Sequence, residues 1–367
     1  MNTRVLMVVP SLRSGGTERV ASLLCEEWRR QGHDVLMCLF DGRDAFFDPQ
    51  VRRVVLALPA KSSLPGKILN FFRRSFRLLV LMRQFRPTHI VAFSEMANIP
   101  TIAAAALTAN LARTVVSVRA NPSRRSRFSR KVMRLFYTLP FRVVGVSVGV
   151  RDALVDLVGT DARRTVAIPN PVCLETSKER VASWGAPALL AVGRLVRPKR
   201  FDVLIEAFAL VSQTFPNAEL YILGEGEERE KLLELIKQLG LEKRVHLPGS
   251  SRNVVGHLAA CDIFVLSSES EGWPNALAEA LGAGCAVVST DCPFGPSEMI
   301  VDGESGVLVP INDPQALADA ISRIAADKQI CEKLARGAME RSKLWTLAAT
   351  AQRWLDLKKG GLKKLEP

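Results

Sequence analysis

Histidine is scarce, four in 367 residues, and no Asp-x-Asp occurs, so the usual materials of a protein-held metal site are missing. His33, His89, His246 and His257 are scattered without ligand spacing. The seven cysteines, Cys25, Cys38, Cys173, Cys261, Cys285, Cys292 and Cys331, are odd in number and form no CxxC. They exclude a disulfide framework and a zinc ribbon and read as reduced thiols of a cytosolic chain. Long apolar runs are lacking too. Met96 to Ala112 carries no charge over about 17 residues, which is marginal for a bilayer span, and it is Ala-rich and broken by Pro100, so a buried helix is expected. The opening MNTRVLMVVP is too short an apolar run for a signal peptide, has nothing like a cleavage site after it, and reads as a buried strand.

What is present is globular. Apolar residues make up 48% and charged residues 24%, and the length suffices for two domains with separate cores. The net charge of +13 is uneven: residues 1–170 hold 27 Lys and Arg against 11 Asp and Glu, whereas residues 171–367 hold 23 against 26. Two clusters supply much of the excess. Lys67 to Arg86 interleaves Arg73, Arg74, Arg77 and Arg83 with Phe71, Phe72 and Phe76, and Asn121 to Phe136 sets Arg124, Arg125, Arg127, Arg130, Lys131 and Arg134 around Phe128 and Met133. Such a mixture suits an anionic membrane surface. Nucleic acid is the competing partner for a basic patch, but no recognition module accompanies it and none is expected to bind. An ordinary amphipathic helix with a solvated basic face is the plain alternative.

Short apolar runs alternate with helical stretches along the whole chain. Val5 to Val9, Val35 to Phe40, His89 to Phe93, Thr114 to Val118 and Val143 to Val146 come first; Leu189 to Val192, Leu220 to Leu223, Ile263 to Leu266, Ala286 to Ser289 and Val307 to Val309 follow. Continuous apolar strands between helices indicate parallel sheets covered on both faces. The pattern restarts after AIPNPV, Ala167 to Val172, and a polar stretch up to Pro187 that reads as a linker. The expected class is α/β, with two doubly wound, Rossmann-like domains facing a cleft and ligands at the carboxyl ends of the strands. A helix around Leu347 to Leu357 and a Lys/Gly-rich tail come last.

The segment EGWPNALAE carries the clearest chemistry. Pro274 is preset for a first helical turn, so Glu271 is expected in the loop before a helix and Glu279 within its opening turns. A helix start offers unpaired N–H groups and the positive end of a dipole to a phosphate, and two carboxylates beside it suit sugar hydroxyls. A phosphorylated, polyhydroxylated ligand such as a nucleotide sugar fits, although two exposed glutamates suited to the dipole would look the same. Gly15 and Gly16 stand between the first strand and a helix, where a ligand could approach the backbone, as do Gly224 and Gly226 later. Arg194 and Lys199 lie on the loop between the first strand of the second half and its helix, a disposition for clamping a diphosphate.

Together SGGTER, GRLVRPKRFDVLIEAF, LGEGEEREKL, LAACDIFVLSSESEGWPNALAEALGAG and DGESGVLVPINDPQALADAI stand in the order and spacing of glycosyltransferase family 4. The chain resembles this family of retaining GT-B enzymes from end to end. The wording around Glu271 is particularly similar to members that extend polyprenyl-diphosphate-linked oligosaccharides, N-acetylgalactosaminyltransferases among them. The resemblance implies an acceptor-binding domain over 1–172, a nucleotide-sugar-binding domain over 173–345, and a C-terminal helix and tail over 346–367 packing back toward the first. It implies that Glu271 contacts donor-sugar hydroxyls and Glu279 the ribose, and that the amides of Gly272, Trp273, Pro274, Asn275 and Ala276, a run in which proline has no N–H, hold the sugar and β-phosphate. Arg194 and Lys199 would neutralise the departing diphosphate, Gly16 would approach it, and Arg252 and Asn253 would lie near the base. Two departures stand out. Arg119, in SVRANP, replaces a common histidine and is no general base at working pH, leaving it to bind phosphate or acceptor. Arg200 replaces a common glycine and either contacts the donor phosphate or points to solvent.

The expected activity is retaining transfer of a hexose or N-acetylhexosamine from a UDP-sugar to a lipid-linked, undecaprenyl-diphosphate acceptor, without a metal or other cofactor. The expected location is cytoplasmic, peripherally on the inner face of the cytoplasmic membrane. A nucleotide-sugar epimerase or inverting transferase on the same architecture, or a non-catalytic basic scaffold, remains open to the sequence.

Overall fold

The computed structural model describes residues 3–13, 15–172 and 186–357. Cys173, most of the expected linker and the Lys/Gly-rich tail lie outside the described residues. The chain divides into two compact units, Met1–Pro171 with Leu347–Pro367, and Val172–Thr346.

The first unit is a seven-stranded sheet: β1 (Arg4–Val9), β2 (Asp34–Leu39), β3 (Arg52–Val55), β4 (His89–Phe93), β5 (Thr114–Val118), β6 (Arg142–Gly145) and β7 (Thr165–Ala167). All pairs are parallel, in the order β3-β2-β1-β4-β5-β6-β7. The helices are α1 (Gly16–Arg30), α2 (Leu64–Phe85), α3 (Glu95–Leu107), α4 (Arg127–Tyr137) and α5 (Val148–Ala153). Central strands such as β1 and β5 are buried along almost their entire length because helices cover both faces, which is why they read as unbroken apolar runs. β3 and β7 close the two edges of the sheet. The uncharged Ala-rich segment is α3, which ends at Leu107 and carries Pro100 inside it.

The second unit repeats the scheme with six strands: β8 (Ala188–Val192), β9 (Glu219–Leu223), β10 (Val245–Gly249), β11 (Ile263–Leu266), β12 (Ala286–Thr290) and β13 (Val307–Val309). Their order is β10-β9-β8-β11-β12-β13, again parallel throughout. Its helices are α6 (Phe201–Thr214), α7 (Arg229–Gln238), α8 (Val254–Leu258), α9 (Asn275–Ala283), α10 (Pro296–Met299), α11 (Pro314–Ala326) and α12 (Lys328–Ser342). The core joins Leu189, Phe208, Leu220, Val265, Val288 and Ile321.

The last helix, α13 (Leu347–Asp356), belongs to the first unit. The buried indole of Trp28 donates from Nε1 to Ala351 O at 3.0 Å, and the Phe93 and Trp354 rings lie 5.2 Å apart. In each sheet the strand order reverses beside the first strand, between β1 and β4 and between β8 and β11. Ligands of doubly wound sheets bind outside the carboxyl ends of the strands at such a switch point.

The basic clusters fall on α2 and α4, with one correction. Arg74 is buried rather than on the solvated face: its guanidinium lies 4.5 Å over the Phe40 ring and donates to Leu58 O from Nε (3.1 Å) and Nη2 (2.6 Å). Among the described residues no helix is long and apolar enough to cross a membrane.

Candidate active site

In the second unit the loops after β8 and β11 flank the switch point, and they are bonded to each other. Glu269 N donates to Pro198 O at 2.9 Å, and Ser267 Oγ donates to Lys199 O at 2.8 Å. On this frame Lys199 Nζ stands 2.6 Å from Glu271 Oε1, with the side chains 21% and 11% exposed. Ser268 Oγ donates to the same oxygen at 2.7 Å, and its own carbonyl accepts from Thr290 Oγ1 at 2.6 Å. Glu271 Oε2 has no hydrogen-bond partner among the described residues. A carboxylate so held keeps one oxygen free for a ligand hydroxyl and its charge balanced by a cation.

Glu271 leads into α9. Pro274 is the N-cap rather than the first helical residue, and helical bonding starts with Ala278 N to Pro274 O at 3.1 Å. Gly272, Trp273 and Pro274 are buried; Asn275, Ala276 and Glu279 are half-buried. Asn275 and Glu279 are four apart and share one face of the helix. Trp273 meets Trp345 edge-on at 5.2 Å, and its buried Nε1 has no hydrogen-bond partner among the described residues.

Arg194 is exposed on the loop after β8, with no ion-pair partner among the described residues. Arg200 is spent elsewhere: Nε donates to Asp202 Oδ1 at 3.0 Å, Nη1 donates to Asn312 Oδ1, and Glu269 lies 3.9 Å away. The Asp202 hydrogen bond raises its pKa. Gly224 takes φ +150°, and a Cβ there would collide with Gly193 O, so its bare backbone lets the loops after β8 and β9 cross. Asn253 caps α8, its Oδ1 accepting from Gly256 N at 2.9 Å, and Arg252 beside it is exposed.

Two residues beside the pair escaped sequence reasoning, Ser268 and Cys292. Burial pushes the Cys292 thiol up to about 12, Glu271 adding to the shift and Lys199 opposing it. The only sequence signal for Ser268 was the polar run SSES after β11, and Cys292, which follows β12, had none beyond being a cysteine.

The first unit holds its own cluster at the carboxyl edge. Gly15 caps α1 and Gly16 opens it; the Glu18 carboxylate folds back over Gly15 and would have to swing aside for a Cβ there. Arg119 follows β5, stacks its guanidinium 4.3 Å over the Phe93 ring and donates to Asn170 Oδ1. Desolvation lowers its pKa to about 9, opposed by Glu18, so it stays cationic at neutral pH.

The profile of Glycosyltransferase Family 4 matches residues 14–176, and that of Glycosyl transferases group 1 matches residues 175–341. The chain belongs to glycosyltransferase family 4. Its activity is therefore glycosyl transfer, and the scaffold and epimerase alternatives fall away. An N-acetylgalactosamine-N,N'-diacetylbacillosaminyl-diphospho-undecaprenol 4-alpha-N-acetylgalactosaminyltransferase of Campylobacter jejuni is 28% identical over 345 residues, 91% of this chain and 93% of that protein. The exopolysaccharide phosphotransferase SCO2592 of Streptomyces coelicolor is 35% identical over 205 residues, but the match spans only 22% of that protein. Among solved structures, Anabaena HepE in complex with UDP-glucose superposes with a TM-score of 0.84 at 20% identity, covering 98% of this chain and all of that one. Likeness to HepE gives this family member the GT-B fold.

Proposed function

We propose that this glycosyltransferase moves a hexose or N-acetylhexosamine from a UDP-sugar to an undecaprenyl-diphosphate-linked glycan with retention of anomeric configuration. The observation that carries the reading is the Lys199–Glu271 pair, held at the switch point ahead of α9 with Glu271 Oε2 free. The uridine donor rests on the HepE complexes with UDP and UDP-glucose, and the lipid carrier on the acceptor named for the Campylobacter relative.

In this reading the amides of Gly272, Trp273, Asn275 and Ala276 hold the sugar and β-phosphate, Glu271 Oε2 accepts from a sugar hydroxyl, and Glu279 accepts from the ribose. Asn253 can serve only through the second lone pair of its carbonyl, because its side chain caps α8, its N–H donates to Ser251 Oγ and its carbonyl already accepts from His257 N. Lys199 and Arg194 stabilise the charge that builds on the UDP leaving group, a contribution for which loss of one donor typically costs roughly 10²–10³ in kcat. As the C1–O bond of the donor breaks, the acceptor oxygen bonds to C1 from the same face, and its proton passes to a phosphate oxygen of departing UDP. No protein nucleophile enters. Arg119 supplies a fixed cation for acceptor phosphate, and the basic first unit meets the anionic membrane where that acceptor resides.

Product stereochemistry tests the reading. NMR of the disaccharide linkage formed from an α-configured UDP-sugar and a polyprenyl-diphosphate acceptor is expected to show an α linkage; a β linkage overturns retention. Wild-type turnover of every UDP-sugar by Glu271→Ala would overturn the site.

A further inference from the structure

α2 buries Asn70, Arg74, Leu78 and Phe85 on one side. On the other, Leu64, Ile68, Phe72 and Phe76 recur every fourth residue and are 51–69% exposed. They make a ridge about 18 Å long. α4 adds Phe128 and Leu135, 77% and 70% exposed. The Phe71 and Phe136 rings lie 6.2 Å apart, so the two helices are neighbours. Neither helix contains an Asp or Glu, and Arg73, Arg77, Arg127 and Lys131 are all exposed on them.

We propose that α2 and α4 form a membrane-docking face that lies flat on an anionic bilayer, with Phe72, Phe76, Phe128 and Leu135 entering the headgroup–acyl boundary and Arg73, Arg77, Arg127 and Lys131 on lipid phosphates. An apolar ridge flanked by cations is what an interfacial helix presents. Charge decides the occupant. A second copy would set two acid-free, cationic helices against each other, and nucleic acid would use the cations while leaving the phenyl ridge in water. A bilayer with anionic headgroups satisfies both. Arg74 takes no part, since the Phe40 ring and Leu58 carbonyl hold it inside.

The proposal rests on the transferase reading only for the origin of the lipid acceptor. The full chain is sedimented with vesicles of phosphatidylcholine alone and of equal parts phosphatidylcholine and phosphatidylglycerol, while UDP binding is followed by calorimetry. Wild type is expected to prefer the anionic vesicles, the preference shrinking as salt rises. R73E/R77E is expected to weaken that binding about tenfold or more, and F72S/F76S to weaken it similarly, each with UDP affinity unchanged. Absence of wild-type binding, or binding unmoved by both double variants, overturns the proposal. So does retention of a duplex oligonucleotide with indifference to vesicles. Failure of wild type to bind UDP while vesicle binding behaves as expected would instead overturn the uridine-donor reading and leave the docking face standing.

Discussion

Lys199 Nζ and Glu271 Oε1 meet at 2.6 Å across 72 residues of chain, and the contact ties the loop after β8 to the loop after β11. Neither loop can shift without breaking it. Ser268 shares the oxygen, so the carboxylate is fixed by one cation and one hydroxyl before any ligand arrives. In the proposed role, such preorganisation would let the second oxygen orient a sugar hydroxyl at no further ordering cost.

Glu271→Gln keeps the shape but removes the charge. Turnover is expected to fall roughly 10²–10³-fold while UDP affinity changes little, because Lys199 is retained and UDP lacks the transferred sugar that Glu271 is proposed to hold. Ser268→Ala should cost about tenfold in kcat through looser positioning, again with UDP affinity intact. Steady-state kinetics with calorimetry separate the two quantities. A large loss of UDP affinity in either variant would mean that the pair supports the nucleotide rather than the sugar.

Arg200 occupies φ +48°, a left-handed conformation that glycine adopts without strain and other residues pay about 1 kcal/mol to enter. This is why a glycine is natural at that place. Arg200→Gly removes the strain but also the bonds to Asp202 and Asn312, and a pair in which Asp202 is 46% exposed is worth at most about 1 kcal/mol. The two effects nearly cancel, so the melting temperature should move by no more than roughly 3 °C and kcat by no more than about threefold. A hundredfold loss of activity would show the guanidinium leaving Asp202 for the donor phosphate.

The fold was legible where burial is two-sided. β1, β4, β5, β8 and β11 are covered by helices on both faces, so they appear as apolar runs; Arg52–Val55, Thr165–Ala167 and Val245–Gly249 escaped because they sit at or near sheet edges and are short, polar or proline-bearing. Lys199 and Glu271 could be picked out as residues, but their contact depends on β8 lying beside β11, which no local pattern encodes. Ser268 sits three residues before Glu271 on the same loop, whereas Cys292 reaches the pair because β12 lies beside β11. Arg74 misled for a different reason: arginine spacing alone does not reveal the phase of a helix, and a cation can pass inside when a ring and a carbonyl receive it.

Trp28 anchors α13 to the first unit through its bond to Ala351 O. Trp28→Phe keeps most of the apolar area but leaves that carbonyl without its donor in a buried site, at a cost of about 1–3 kcal/mol; Trp28→Ala should cost about 3–5 kcal/mol. Urea denaturation measures both. If Trp28→Phe proves neutral, water reaches Ala351 O and α13 is held by the Phe93–Trp354 contact instead.

Cys292 lies close enough to the Lys199–Glu271 pair to feel both charges, and burial dominates, pushing its pKa up to about 12. Desolvation disfavours the thiolate, so in the folded protein at neutral to mildly alkaline pH the group is a neutral thiol, and only the thiolate attacks alkylating reagents. Iodoacetamide should therefore leave Cys292 unmodified in the native chain and label it fully in urea, as read by peptide mass spectrometry. Lys199 opposes the shift, so Lys199→Met should make the native thiol less reactive still, whereas Glu271→Gln removes a charge that raises its pKa and should speed any residual labelling. Rapid native alkylation, slowed by bound UDP, would instead reveal a thiolate at the donor site and reopen the question of a protein nucleophile there.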